Sequence, residues 1–92
     1  MASFECHITI PVSHAEAGEA VANVRGWKTS EIKRDPVLGD ASHFYLTKHS
    51  SSVSELFYDM DNTELFLKMQ EVPIIRKKIE AILYDTKTGV GV

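Results

Sequence analysis

The chain carries a single cysteine, Cys6, so no disulfide can form within it and no zinc site can be built from thiolates. That usage fits a reducing compartment, and the cytoplasm is the expected location. Proline (three) and glycine (five) are sparse and collect into no linker, and no internal repeat or low-complexity tract is present. Long apolar runs are missing too. Nothing approaches the roughly 18 residues of a bilayer span, and Met1 to Ile10 has no basic segment leading into an apolar stretch, so neither a membrane nor secretion is expected. A Gly-rich phosphate loop and a Gly-x-Ser-x-Gly elbow are absent. Positive charge is in deficit: ten Lys and Arg against thirteen Asp and Glu give a net charge of −3, which argues against nucleic acid as a partner.

What remains is an ordinary folding composition, 43% hydrophobic and 25% charged over 92 residues, with room for one core. Residues 1–92 are expected to form a single domain, with 86–92 a flexible tail. A chain this short buries a modest fraction of its surface, so association with a second copy would help it, and a homodimer is the expected assembly.

Phe4, Cys6, Ile8 and Ile10 alternate with Glu5, His7 and Thr9, the period-two pattern of a strand buried on one face. Pro11 ends it. Ser13 and Glu16 predict a capping box opening a helix over about 14–25, with Ala17, Ala20, Val21 and Val24 as its stripe and Gly26 just past its end. A second strand over 27–33 follows, with Trp27 inside and Lys28, Ser30 and Ile32 outward, because the opposite facing would bury Lys28. Asp35 to Asp40 combines Asp-Pro with Gly-Asp and predicts a turn or long hairpin connection.

His43 to His49 is the clearest alternation, Phe44 and Leu46 against His43, Tyr45, Thr47 and His49, and predicts a third strand. Ser52 with Glu55 predicts another capping box, and Val53, Leu56, Phe57, Met60 and Leu67 a helix toward Gln70, with a break near Asp61 and Asn62. Ile74 to Tyr84 reads as a long strand, with Ile75, Ile79, Ala81 and Leu83 toward the core. The rival is a helix over Arg76 to Leu83, since Lys77, Lys78, Glu80 and Ala81 are good helix formers.

The order strand, helix, strand, strand, helix, strand predicts an α+β fold of the ferredoxin-like βαββαβ type: a four-stranded antiparallel sheet with two helices on one face and β1 between β3 and β4. The uncovered face would then gather His7, Thr9, His43, Tyr45, Thr47, Arg76, Lys78, Glu80 and Tyr84. Arg76 and Lys78 with His7 and Tyr45 predict a site for an anionic small molecule or a carboxylate, because a guanidinium fork and an ammonium beside hydroxyl and imidazole donors suit such a ligand.

Two other classes stay open. His7 or His43 could serve as general acid or base with Glu80 as partner, making a small enzyme. Alternatively, cross-strand pairing of Arg76 and Lys78 with Glu80 is what an uncovered sheet normally shows, and the chain is then an accessory or assembly subunit without a ligand. No metal site is expected, since His7, His43 and His49 lack ligand spacing and Asp59, Asp61, Asn62 and Glu64 lack the glycine and distant glutamate of a calcium loop. A solvated helix face or a break in the helix accounts for those acids. No cofactor is indicated, and Cys6 reads as a buried apolar group rather than a nucleophile.

Overall fold

Alternation at the start of the chain becomes strand β1, Ser3–Pro11, with Cys6, Ile8 and Ile10 buried on one side. This computed structural model describes residues 3–32 and 42–82, so the expected Asp35–Asp40 turn, Leu83, Tyr84 and the 86–92 tail lie outside the described residues. After β1 come helix α1 (Ala15–Arg25), strands β2 (Lys28–Ile32) and β3 (His43–Ser50), helix α2 (Val53–Met69) and strand β4 (Arg76–Ile82). The strands form one antiparallel sheet in the order β2-β3-β1-β4, which places β1 between β3 and β4 as expected.

Segment 76–82 is a strand despite its helix formers, because its backbone groups pair with β1 from Ser3↔Ile82 to Thr9↔Arg76. Non-local pairing here overrides local propensity. As an edge strand β4 buries little: Ile79 is half-buried against the core, while Ile75 and Ala81 are exposed. Trp27 is buried just ahead of β2, and Lys28, Ser30 and Ile32 share the face opposite the core, as expected.

The start of α1 differs from the sequence expectation. No capping box forms at Ser13. A single 3-10 turn, Val12–His14, follows Pro11 directly, Ser13 Oγ hydrogen-bonds with His14 Nδ1 at 3.1 Å, and the helix has no side-chain cap. Its buried stripe is Gly18, Val21 and Ala22, whereas Ala20 is exposed and Val24 is 78% exposed. The reason is Gly18: lacking a side chain, it lets the helix settle onto Ile10 and Phe44, and a Cβ there would collide with Ile10 Cδ1. Gly26 closes the helix at φ 76°, with the Trp27 N–H donating back to the Ala22 carbonyl at 2.8 Å.

Ser52 does cap α2, its Oγ accepting from the Glu55 N–H at 3.3 Å. The helix then runs unbroken through Asp61 and Asn62. Its buried stripe is Leu56, Met60, Thr63 and Leu67, and Val53 and Phe57 are exposed. Leu56, Met60 and Leu67 join Cys6, Ile8, Ile10, Val21, Ala22, Trp27, Phe44, Leu46 and Val72 in the core between helices and sheet.

Asp59, expected on a solvated face, is instead a junction. Its Oδ1 accepts from Arg25 Nη2 at 3.0 Å, Trp27 Nε1 at 3.1 Å and Thr63 Oγ1 at 3.2 Å, and its Oδ2 pairs with Lys48 Nζ at 2.9 Å. Lys48 sits on the core-facing side of β3, opposite Cys6, and reaches the end of the sheet to make that contact and to donate to the Arg25 carbonyl at 3.3 Å. Glu64 likewise ties α2 to β4 through Lys77 Nζ at 2.6 Å, and that hydrogen bond holds its carboxyl below the usual range.

Burial alone would raise the pKa of Asp59, but the hydrogen bonds from Lys48, Trp27 and Arg25 outweigh it and hold the carboxyl below its ordinary value. A lowered folded-state pKa contributes stability that is complete above about pH 4 and is lost as pH falls through the folded value. Asp59→Asn is therefore expected to cost about 2 kcal/mol at neutral pH and to flatten the loss of stability below pH 4, both read by urea denaturation across a pH series. Gly18→Val is expected to cost about 1–3 kcal/mol by forcing α1 off the sheet, seen as a lowered melting temperature.

Candidate functional site

The side of the sheet away from the helices is arranged in rows fixed by strand register. From one end, Glu80, Glu5 and His49 lie abreast; then Lys78, His7, Thr47 and Lys28; then Arg76, Thr9, Tyr45 and Ser30; then Pro11, His43 and Ile32. Odd-numbered positions of β1 and β3 and even-numbered positions of β2 and β4 supply them, so the alternation that buries Cys6, Ile8, Phe44 and Leu46 also collects this set.

The first two rows satisfy one another. Glu5 and Glu80 are directly opposed, an unfavourable pairing that His7 relieves by placing Nε2 at 2.6 Å from Glu5 Oε1 and 3.5 Å from Glu80 Oε1. Lys78 Nζ adds a contact to Glu80 at 3.2 Å, and His49 Nε2 one to the second Glu5 oxygen at 3.0 Å. The other nitrogen of His7, Nδ1, lies 2.9 Å from Thr47 Oγ1. A neutral ring protonated at Nε2 can donate to Glu5 and accept from the Thr47 hydroxyl; a doubly protonated ring donates to both. Either way carboxylate, imidazole and hydroxyl stand in a chain.

The next rows are different. Arg76 is half-buried beside Thr9, which is only 2% exposed between its neighbours on β3 and β4, and it has no acidic partner among the described residues. Tyr45 flanks Thr9 on the other side. Two positions along β3, His43 is 7% exposed, and its Nδ1 is buried without a hydrogen-bond partner. At the β2 margin a shallow depression of ≈ 210 Å³ is lined by Gly26, Lys28, Thr47, Lys48 and His49, a cationic rim around a threonine hydroxyl.

The structure thus brings His7, Tyr45, Arg76 and Lys78 onto one face, but in two groups: His7 and Lys78 are engaged with acids, while Arg76 and Tyr45 are not joined to that network. Glu80 is within reach of His7 only as the more distant carboxylate. It cannot partner His43, which pairs with Pro11, six residues along β1 from the Glu5 that faces Glu80, roughly 20 Å away. Glu5 and His49, the missing members of the network, were legible in the same alternation as His7 and Thr47. Their parity places them on this face, and only their pairing needed the register.

Among the described residues no group of three or more His, Cys, Asp or Glu side chains is arranged to hold a metal ion. No helix among them is long and apolar enough to cross a membrane. Comparison with known proteins yields no match to a family model, a curated protein or a solved structure.

Cys6 faces the core, fully buried, and burial pushes its thiol up to about 11. A thiol so placed is neither exposed nor ionised near neutrality. Native protein at pH 8 is expected to resist iodoacetamide, with mass-spectrometric labelling of Cys6 appearing only in denaturant; rapid native labelling would show the thiol to be accessible.

Proposed function

We propose that this chain is a small homo-oligomeric binding module of ferredoxin-like architecture that takes an anionic small molecule or carboxylate on its open sheet face. The order β2-β3-β1-β4 with helices after β1 and β3 supports the architecture, although fold by itself assigns no activity. The observation that carries the ligand class is Arg76: a half-buried arginine on a polar face that, unlike its neighbouring cation Lys78 with Glu80, has no acidic partner among the described residues. A planar fork in that position suits a carboxylate or phosphate, with the Tyr45 hydroxyl as a further donor and His43 nearby. His7 and Lys78 border the ligand through their network rather than holding it alone.

The chain Glu5–His7–Thr47 favours a second reading, in which His7 acts as general acid or base oriented by Glu5, with Thr47 as the hydroxyl it polarises. His7 and Thr47 are already engaged within their own network, whereas Arg76 has no acidic partner among the described residues, so binding stands first.

The test is an NMR titration of labelled protein with phosphorylated and carboxylated metabolites. Shifts are expected to centre on Thr9, Tyr45 and Arg76, and Arg76→Gln is expected to weaken binding roughly 10- to 100-fold, the worth of one charged hydrogen-bonded contact. Shifts confined to Lys28, Lys48 and His49 would move the site to the β2 margin, and no shift with any anion would remove the ligand reading. Turnover lost in His7→Ala but retained in Arg76→Gln would favour the second reading.

A further inference from the structure

The outer side of α2 is the least expected surface of the molecule. Leu56, Met60, Thr63 and Leu67 recur at intervals of four, three and four and point into the core. Tyr58, Asn62, Leu65 and Met69 recur at the same intervals on the opposite side of the helix, and Tyr58, Leu65 and Met69 are 73%, 57% and 69% exposed. Beside them Val24 and Phe66 border a groove of ≈ 290 Å³ between α1 and α2, lined also by Ala20, Val21 and Gln70. A surface helix ordinarily turns a polar side to water. This one has an apolar seam on each side.

We infer that the outer seam of α2 docks against the same seam of a second copy of this chain, the two helices running antiparallel about a two-fold axis that passes between Asn62 and Leu65. This rests on the homo-oligomeric part of the reading above and is independent of the ligand.

Three observations select a second copy as the occupant. The four-three-four spacing is that of paired helices, and it is self-complementary: in the antiparallel arrangement Tyr58 meets Met69 of the other copy, an aromatic ring against a thioether, and Leu65 meets Asn62. The flanking charges favour the same direction: Asp61 and Lys68, on the same flank of the seam, then face each other across the axis twice, with Lys68 also 3.3 Å from Glu64 of its own helix, whereas a parallel pair would set Asp61 near Phe66. Exposed apolar surface is concentrated there: Tyr58, Leu65 and Met69 on the seam, with Val24 and Phe66 beside it, are 73%, 57%, 69%, 78% and 39% exposed, a clustering that marks an association surface rather than scattered exposure. Asn62, half-buried in the seam, donates its Nδ2 to the Tyr58 carbonyl of its own helix at 2.9 Å, so it can face Leu65 without leaving that donor unpaired.

Such a dimer leaves both open sheet faces uncovered and pointing away from the interface. A dimer formed by packing the two open sheet faces together, which would bury Tyr45, would be a different assembly.

Analytical ultracentrifugation of the full chain tests it. A dimer is expected, and Leu65→Glu and Met69→Glu are each expected to raise its dissociation constant at least 10-fold. Both positions face solvent, so the amide spectra of β1 and β3 should be unchanged. Asp61→Lys should weaken the dimer and the swap Asp61→Lys with Lys68→Asp should restore it. A wild-type chain that stays monomeric, a dimer insensitive to both Glu substitutions, or one broken by Tyr45→Glu instead would overturn the inference. Anion shifts at Arg76 that persist in monomeric Leu65→Glu would show the ligand reading to stand apart from it.

Discussion

Asp59 is the constraint on which the rest of the structure hangs. One carboxylate on α2 accepts from the last residue of α1, from the indole that leads into β2 and from a lysine on β3, so it fixes two helices and two strands relative to one another at a single point. Without it the buried Trp27 indole N–H would lose its hydrogen-bond acceptor and the half-buried Arg25 and Lys48 their counter-charge, and unmatched groups of that kind cost more than the pairing returns. Arg25 is held further by lying over the Phe66 ring, 5.4 Å from its centroid. The junction sits at the end of the sheet where α1 hands over to β2, and so it sets how squarely the helices cover the core face.

The opposite face is governed by charge matching along rows. Placing Glu5 against Glu80 is a poor choice for a sheet unless something stands between them, and His7 does. The result is a network in which every acid has at least one cation or imidazole and Thr47 closes the far end. That saturation makes the neighbouring Arg76 conspicuous. Where one half of a surface satisfies itself and the other does not, the unsatisfied half is where a ligand adds most, because its charge is met rather than displaced.

Much of this was legible in the sequence, for a physical reason. Period-two alternation in 4–10 and 43–49 is enforced by burial of one face, so it named both the core residues and the opposite set, His7, Tyr45 and Thr47 included. Gly26 declared a helix end because its left-handed backbone excludes most other residues. The misses have equally definite causes. Gly18 carries no hydrophobicity, so a stripe drawn through Ala20 and Val24 looked better than the real one through Gly18 and Ala22. Asp59 is a polar residue whose partners come from 25, 27 and 48, and no local pattern encodes a contact among segments so far apart. Ser13 has the right spacing for a cap but follows a proline that sends the chain straight into a tight turn. The two-part division of the open face depended on side-chain partners that register alone supplies.

The pairing of β1 with β4 joins Ser3 to Ile82, nearly the full extent of the described chain. Contacts of such long sequence separation carry a large loop-closure entropy, which falls once intervening structure has formed and the two strands can pair. Until then the row holding Arg76, Thr9 and Tyr45 does not exist, and β1, the most apolar strand, has one edge open. The row that holds Arg76 and the cover of the central strand are thus completed by the same step: pairing β4 closes the open edge of β1 and moves the edge to β4, where Arg76, Lys77 and Lys78 discourage a further strand from adding.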